Sequence, residues 1–225
     1  MIFTILKKAG RAFGYDIRVD SLRNPNPIRL WETNAAFNTL FKEVGKRTSL
    51  NRRAAYMLYQ LAGLAPKGSN IAEIGVFNGG GSYLLASAAP ESRVYSFDTF
   101  AGMPATDPAK DWHTQGEFQV NVDDTLAFLS LKTNIRPVKG FFPETAAPYR
   151  DITFGFVHID VDIYQSVKDC LEFFYPRVLK NGLIVSDDYG AITCPGAKLA
   201  WDEFFVGKPE RPIYLLTRQC FAIKL

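Results

Sequence analysis

Four aspartates lie directly after two apolar stretches of this sequence. Asp160 and Asp162 follow the stretch that ends at Ile159, and Asp187 and Asp188 follow another. An aspartate at the end of an apolar strand is costly unless it is paired or bound to a metal, and neighbouring carboxylates repel one another. A hard divalent cation with oxygen ligands removes that repulsion. The pattern therefore predicts a metal site built from three or four of these carboxylates.

The expected ion is Mg²⁺, which tolerates a few carboxylates together with waters and a substrate oxygen; Ca²⁺ and Mn²⁺ are the alternatives. Zn²⁺ is disfavoured because the sequence has only two histidines, His113 and His158, without ligand spacing between them. A cation bound to a hydroxyl lowers the pKa of that hydroxyl, and a nearby carboxylate then takes the proton. Asp160 is the predicted ligand and base together. His113, in a polar loop, is the alternative base, whereas His158 is expected to pack or hydrogen-bond.

A glycine-rich turn follows the acid Glu73 at the end of an earlier apolar stretch, and Asp98 ends the next such stretch. An acid at the end of the second stretch, here Asp98, accepts hydrogen bonds from the ribose hydroxyls of an adenosine-containing cofactor. A carboxylate beside the turn would repel a pyrophosphate but attract a cationic amino-acid group, directly or through water. The pair of acids therefore favours S-adenosylmethionine over NAD. The predicted cofactor contacts are Glu73, Gly75, Phe77, Asn78, Gly79, Ser82, Asp98 and Thr99.

Alternating strand and helix patterns position these residues. Strands are expected at 70–75, 93–98, 135–138, 154–160 and 183–187, followed by a closing hairpin of 213–217 and 220–224. Helices are expected at 31–46, 49–64, 83–89, 120–131, 164–175 and 196–205. Strands that alternate with helices imply a mostly parallel sheet, and ligands bind such sheets at the carboxyl ends of the strands. The prediction is an α/β, Rossmann-like class I methyltransferase fold: a mostly parallel seven-stranded sheet with an antiparallel C-terminal hairpin and an N-terminal helical arm.

Length and composition narrow the class of protein further. The 225 residues suit one α/β domain with added segments, predicted as an arm or lid of helices at 1–48 and a methyltransferase domain at 49–225. A net charge of +3 is too balanced to indicate nucleic acid as a partner. The three cysteines form no CxxC pair, and no apolar run reaches the ~18–20 residues of a membrane span. We therefore expect a reduced, cytoplasmic protein without a transmembrane segment.

Linked motifs within residues 49–205 are similar to those of a known family. The matching stretches are Ala72–Gly80, Asp98–Pro104, Gly140–Thr145, His158–Ser166, Ser186–Gly190 and Ala200–Phe204. In this order and spacing, the chain resembles the macrocin O-methyltransferase family, which methylates sugar hydroxyls on macrolide antibiotics and related products. Two departures stand out: Val161 replaces the glycine of the family's Asp-Gly-Asp motif, and Gln165 replaces a glutamate. The histidine-containing loop near 113–120 is also shorter.

The resemblance implies a class I methyltransferase that uses S-adenosylmethionine, with Mg²⁺ held by Asp160, Asp187 and Asp188. It implies that Asp160 also acts as base, and that the arm supports a homodimer or higher homo-oligomer. The expected activity is methylation of a hydroxyl on a sugar or glycoside, in antibiotic tailoring or surface-glycan modification. Two alternatives stay open: a phenolic or other small acceptor, and a non-catalytic binding module that retains the fold.

Overall fold

The computed structural model of the protein describes residues 29–225, which contain a seven-stranded sheet and its helices. The strands are β1 (Asn70–Ile74), β2 (Val94–Asp98), β3 (Ile135–Lys139), β4 (Phe154–Ile159), β5 (Val178–Ser186), β6 (Ile213–Tyr214) and β7 (Cys220–Ile223). The α-helices are α1 (Leu30–Thr33), α2 (Ala35–Val44), α3 (Arg52–Ala62), α4 (Gly80–Ala88), α5 (Val122–Leu129), α6 (Tyr164–Phe174) and α7 (Pro195–Phe204). Short 3₁₀ helices span Glu144–Tyr149 and Tyr175–Arg177.

The strands are arranged in the order β3-β2-β1-β4-β5-β7-β6. The first five strands of this order run parallel, and β7 runs antiparallel to both β5 and β6. Glu73 of β1 lies opposite Ser96 of β2 on one side and His158 of β4 on the other. The carboxyl ends of these strands therefore meet at one edge. The predicted mostly parallel sheet with antiparallel C-terminal strands is confirmed.

Two helices differ from the sequence prediction at their ends. The helix expected at 31–46 is interrupted at Asn34, whose backbone is extended (φ −74°, ψ 104°), so that α1 and α2 are separate. The helix expected from Tyr83 already begins at Gly80. Its N-cap residue Gly79 has φ 89°, a left-handed conformation that glycine adopts at little cost. The glycines are therefore part of the helix start and not only of the turn before it.

The C-terminal strands also have different lengths from those predicted. β5 begins at Val178, well before the predicted Leu183, and it continues through Asn181 although that residue has a positive φ of 64°. The closing hairpin is shorter than predicted, with β6 limited to Ile213–Tyr214 and β7 to Cys220–Ile223. Its antiparallel pairing is as expected.

Packing divides the chain into two units, Met1–Asn34 and Ala35–Leu225. The described part of the first unit contains α1, where Arg29 forms an ion pair with Glu32 at 3.2 Å. In the second unit, Phe37 of α2 is fully buried, and its ring centroid lies 4.9 Å from that of Tyr56 in α3. Residues 1–28 of the predicted arm lie outside the described residues. The arm's boundary at residue 48 and its role as a lid stay predictions.

Aromatic side chains fix the spacing between the sheet and α6. Phe174 is fully buried, and its ring centroid lies 6.0 Å from Phe97 of β2, 5.2 Å from Phe154 of β4 and 5.3 Å from Phe142. Burying an aromatic side chain of this size stabilises a fold by roughly 1.5–3 kcal/mol. These contacts pack β2 and β4 against the same helix and thereby help to hold the two strands in position.

The described residues include all three cysteines of the sequence. Cys170, Cys194 and Cys220 are free and buried. Within residues 29–225, no helix has the length and apolar character to cross a bilayer.

Glu210 is expected to stabilise the fold near neutral pH. Its carboxylate accepts hydrogen bonds from Lys224 Nζ at 2.8 Å and from the Tyr175 hydroxyl at 2.6 Å. Burial alone would raise the pKa of Glu210, but the bonds from Lys224 and Tyr175 lower it from 4.5 to about 2. We expect Glu210→Gln to lower the free energy of unfolding at neutral pH by about 1–3 kcal/mol, measured by urea denaturation.

This stabilisation should depend on pH in one direction. Because the pKa of Glu210 is lower in the folded state, the stabilisation is complete above about pH 4.5 and is lost as the pH falls toward about 2. The difference between the wild type and Glu210→Gln should shrink over that range. Glu91→Gln, which changes an exposed glutamate, is the control. A difference that stays constant down to about pH 2 would contradict the assignment.

Candidate active site

A cavity of about 260 Å³ lies at the carboxyl ends of the parallel strands. Its wall includes Gly75 after β1, Asp98 at the end of β2 and Asp160 after β4, together with Asp187 and Asp188 after β5. Open α/β sheets bind their ligands at this edge. Some of the predicted cofactor residues and all three predicted metal ligands therefore line one cavity.

The turn between β1 and α4 packs closely against its neighbours. Gly75 has φ 91°, and a Cβ at this position would overlap the backbone carbonyl of Asp160. Glycine is therefore required there for both its conformation and its size. Further along the turn, the backbone N–H of Gly80 donates to the carbonyl of Arg47 at 2.9 Å. The turn is thus held between the end of β4 and the segment that precedes α3.

Asp98 holds this turn in place. Its Oδ2 accepts hydrogen bonds from the backbone N–H groups of Val76 at 2.6 Å and Phe77 at 2.9 Å, and its Oδ1 accepts one from Phe100 at 2.6 Å. Phe77 and Phe100 have positive φ values of 52° and 54°, which persist only where the surroundings fix them. Because Oδ1 retains a second acceptor position, the predicted contact with ribose hydroxyls is compatible with these bonds.

Glu73 lies behind the turn. Its side chain is buried, accepts a hydrogen bond from the Ser82 hydroxyl, and places Oε1 3.2 Å from Nδ1 of His158. Ser82 Oγ also lies 2.7 Å from Ser96 Oγ, and a Cβ on Gly81 would overlap the Glu73 carboxylate. Glu73 therefore stabilises the turn through contacts on its buried side. Its contact with a cationic cofactor group, directly or through water, stays a prediction.

The predicted cofactor contacts separate into two groups of four. Those that line the cavity are Gly75, Phe77, Asp98 and Thr99. Those that lie outside its wall, among the described residues, are Glu73, Asn78, Gly79 and Ser82. The second group shapes the turn: Gly79 provides its left-handed backbone, and the fully buried Ser82 bonds to Glu73.

Asp160, Asp187 and Asp188 converge where β4 and β5 end. Each offers a carboxylate oxygen, and these three oxygens lie within 4.8 Å of one another. The backbone N–H of Asp187 still bonds to the carbonyl of Ile159, at 3.1 Å, and the chain then bends. After the bend, Asp188 Oδ2 accepts a hydrogen bond from the backbone N–H of Asp162 at 2.9 Å. The bend allows both adjacent aspartates to line the cavity.

The three carboxylates fit a hard divalent cation. Burial and the charges of Asp188 and Asp187 raise the pKa of Asp160 well above its usual range. Burial and the charge of Asp162 do the same for the pKa of Asp188, and burial raises the pKa of Asp187. Asp187 Oδ1 also accepts a bond from Gln219 Nε2 at 2.8 Å. A divalent cation such as Mg²⁺, Ca²⁺ or Mn²⁺ would offset the repulsion between these closely spaced carboxylates.

The turn after β4 accommodates valine in place of the family's glycine. Asp162 has the positive φ, 60°, and the N–H of Ile163 bonds back to the carbonyl of Val161 at 2.6 Å. Val161 is not among the described residues with a left-handed backbone. The departure from the Asp-Gly-Asp motif therefore places no strain on the valine.

The loop after β2 forms another wall of the cavity and carries His113. The N–H of Met103 bonds to the carbonyl of Glu117 at 2.7 Å, which closes the loop on itself. Nδ1 of His113 lies 2.7 Å from Glu117 Oε2, and hydrogen bonds from His113 and Thr114 lower the pKa of Glu117 to about 2. An ionised Glu117 requires Nδ1 to donate, so Nε2 is the acceptor whenever the ring is neutral. The alternative base thus lies at the cavity with a defined tautomer.

Sequence reasoning missed Arg218 and Gln219. Arg218 lines the cavity, and the fully buried Gln219 donates to both Asp187 Oδ1 and the carbonyl of Ala54, the latter at 3.2 Å. In the sequence, these two residues look like the polar tip of a hairpin. A glutamine beside a buried strand must satisfy its amide, but its partners are distant in the chain and the sequence does not identify them.

The strand order, the antiparallel β7 and the cavity at the strand ends define a class I methyltransferase fold. The structure of the O-methyltransferase NovP is similar to this chain with a TM-score of 0.68 and 23% identity, covering 79% of this chain and 82% of that chain. The chain belongs to the macrocin-O-methyltransferase (TylF) family, whose model matches residues 66–211. This membership confirms the resemblance indicated by the linked motifs.

Two curated relatives come from Streptomyces. The chain is 28% identical to the 8-demethyl-8-(2,3-dimethoxy-alpha-L-rhamnosyl)-tetracenomycin-C 4'-O-methyltransferase of Streptomyces olivaceus, over 57% of this chain and 56% of that protein. It is 26% identical to the demethyldecarbamoylnovobiocin O-methyltransferase of Streptomyces niveus, over 60% of this chain and 57% of that protein. The match thus spans little more than half the length of either relative.

Proposed function

We propose that this protein methylates a hydroxyl of a sugar or glycoside, with S-adenosylmethionine as methyl donor and a divalent cation held by Asp160, Asp187 and Asp188. The observation that carries the proposal is the convergence of these carboxylates in the cavity that Gly75 and Asp98 also line. Membership of the macrocin O-methyltransferase family supports methyl transfer to oxygen. The Streptomyces olivaceus relative supports a sugar acceptor, because its name describes a rhamnosyl compound.

The cofactor is assigned to the side of the cavity formed by β1 and β2. S-adenosylmethionine supplies the methyl group and carries no phosphate, so the acids of this turn do not repel it. Asp98 accepts hydrogen bonds from the ribose hydroxyls, while Gly75 lets the backbone approach closely. Phe77 and Thr99 contribute to the same wall, and Glu73 supports the turn from behind.

The cation is assigned to the side formed by β4 and β5. A bound Mg²⁺ would lower the pKa of the acceptor hydroxyl and orient it toward the methyl donor. Asp160 accepts the hydroxyl proton at a carboxylate oxygen, since it lies in the cavity beside the other two carboxylates. His113 Nε2 is the alternative proton acceptor, because Glu117 fixes its tautomer.

Acceptor choice is assigned to the loop 104–119 and to the arm at 1–48. Of these, Pro104, His113 and Phe118 line the cavity. Together with Met103 and Phe142, they provide apolar surface that excludes water from the reacting groups.

Isothermal titration with S-adenosylmethionine tests the cofactor assignment. We expect one cofactor to bind per chain, both after treatment with EDTA and after Mg²⁺ is restored, because neither the Asp98 carboxylate nor the glycine turn supplies a ligand of the three-carboxylate set. Absence of binding under every metal condition would contradict the enzymatic function and favour a non-catalytic module. Methylation of catechols without methylation of glycosides would support the methyltransferase activity and contradict the proposed sugar acceptor.

A further inference from the structure

A second cluster of metal-ligating side chains lies beside the cavity, and we propose that it binds a thiophilic divalent cation such as Zn²⁺. The cluster consists of His113, Asp162 and Cys194, whose donor atoms lie within 4.8 Å of one another. They come from the loop after β2, the turn after β4 and the N-cap position of α7. The site shares no residue with the three carboxylates assigned to the hard cation, but it includes His113, the alternative proton acceptor of the proposed function.

The spacing of the three donor atoms fits tetrahedral coordination. Cys194 Sγ lies 3.7 Å from His113 Nε2 and 3.3 Å from Asp162 Oδ1, and Nε2 lies 3.8 Å from Oδ1. Bonds of about 2.3 Å from zinc to sulfur and about 2.0–2.1 Å from zinc to nitrogen or oxygen give tetrahedral edges of about 3.3–3.6 Å. The observed distances match these edges to within about 0.5 Å, and the largest difference is between Nε2 and Oδ1.

Glu117 orients His113 as carboxylates orient metal-bound histidines. Its Oε2 lies 2.7 Å from Nδ1, so the opposite nitrogen, Nε2, faces Cys194 and Asp162 and is available to a metal when the ring is neutral. A carboxylate that accepts a hydrogen bond from the far nitrogen is a recurrent partner of ligating histidines. The His113 ring also packs against Phe118, with the ring centroids 5.3 Å apart, which limits its rotation.

The donor types distinguish this cluster from the neighbouring carboxylates. Thiolate and imidazole ligands select Zn²⁺ over Mg²⁺, whereas carboxylates alone select the harder ion. In the metal-free protein, the Cys194 thiol donates to Asp162 Oδ1. Metal binding replaces the S–H bond by a metal–sulfur bond, and the proton passes to solvent. The thiolate and Asp162 then balance the two charges of the cation.

The fourth coordination position is assigned to a ligand from the cavity. His113 and Asp162 both line the cavity, and Asp162 is bonded through its backbone to Asp188 of the carboxylate set. A cation at this site would also connect the loop after β2 to the start of α7. Zinc binding should therefore raise the melting temperature of the protein.

Titration of the full chain with Co²⁺, after removal of metals by a chelator and with Mg²⁺ in excess, tests the site. One equivalent of Co²⁺ should produce the near-ultraviolet charge-transfer absorption of a cobalt–thiolate bond, and Zn²⁺ should remove it. Cys194→Ser should abolish the band. Cys220→Ala, which changes another buried free cysteine outside the cluster, is the matched control and should retain it. No band in the wild type, or a band that survives Cys194→Ser, would overturn the proposal.

Three more variants separate ligation from a loss of folding. His113→Ala changes a loop residue and should weaken Co²⁺ binding with the melting temperature of the metal-free protein nearly unchanged. Glu117→Gln should weaken it by about 10–100-fold, since it removes the partner of Nδ1. Asp160→Asn should leave the band intact, because Asp160 is not a ligand of this cluster. Equal Co²⁺ affinity in the wild type and His113→Ala would contradict the site. These titrations contain no cofactor or glycoside, so their outcome is separate from that of methyl transfer.

Discussion

Asp160→Asn should lower the turnover number for methyl transfer to a glycoside by about 10³-fold or more, with S-adenosylmethionine binding nearly unchanged. Asp160 is assigned as ligand of the cation and as proton acceptor, and asparagine is a neutral side chain with a single acceptor oxygen. A positioned base alone contributes about 10²–10⁴-fold. Transfer of labelled methyl groups measures turnover, and isothermal titration measures cofactor binding. Full activity of the variant would contradict the assignment of Asp160.

The same substitution should stabilise the metal-free protein. Burial and the charges of Asp188 and Asp187 raise the pKa of Asp160 above its usual 3.8, so ionising this group in the folded state costs free energy. The cost is absent below the pKa that Asp160 has in the unfolded chain. It grows as the pH rises toward the higher pKa that Asp160 has in the folded protein. In EDTA, the melting temperature of Asp160→Asn should therefore exceed that of the wild type by more at neutral pH than at about pH 4. Asp151→Asn, at an exposed position, should follow the wild type.

Asp98→Asn should weaken S-adenosylmethionine binding by about 100-fold. The carboxylate of Asp98 accepts hydrogen bonds at both oxygens, from Val76 and Phe77 on one side and from Phe100 on the other. An asparagine has only one acceptor oxygen, so at least one backbone N–H group loses its partner and the ribose contact is weakened. Hydrogen bonds to charged groups contribute about 1.5–3 kcal/mol each, and a loss of about 3 kcal/mol corresponds to the stated change in affinity.

The control for Asp98 is Asp123→Asn, which changes an exposed aspartate in the first turn of α5. Its cofactor affinity should equal that of the wild type. Binding of Mg²⁺ should be retained in Asp98→Asn, because this residue lies on the other side of the cavity from the carboxylate set. An unchanged dissociation constant for S-adenosylmethionine in Asp98→Asn would contradict the placement of the cofactor at β1 and β2.

The sheet could be predicted from the sequence because its signals are local. Apolar stretches ending in Glu73, Asp98 and Ser186 each mark a strand, and the intervening helical patterns require parallel connections. Element ends were harder to predict, since they depend on single residues with unusual backbones. Asn181 resembles a turn residue and yet lies within β5, and Gly80 resembles a turn residue and yet begins α4.

The candidate site could be predicted in part for a similar reason. Residues at strand ends share an edge, so the convergence of Asp160 with Asp187 and Asp188 follows from the topology. Contacts between distant segments do not follow from it. The bond from Gln219 to Asp187 and the approach of His113 to Cys194 depend on how the hairpin and the loop fold back. The spacing of the two histidines also does not help, because the second cluster combines only one histidine with a cysteine and an aspartate from distant segments.

The most direct test of the proposed function is transfer of a labelled methyl group from S-adenosylmethionine to a panel of glycosides and nucleotide sugars, with and without EDTA. We expect a methylated sugar oxygen in the product, loss of transfer in EDTA, and recovery when Mg²⁺ is added back. Transfer that proceeds undiminished after complete removal of metal would contradict the role of Asp160, Asp187 and Asp188. Cofactor binding without transfer to any sugar hydroxyl in the presence of Mg²⁺ would contradict the assigned acceptor.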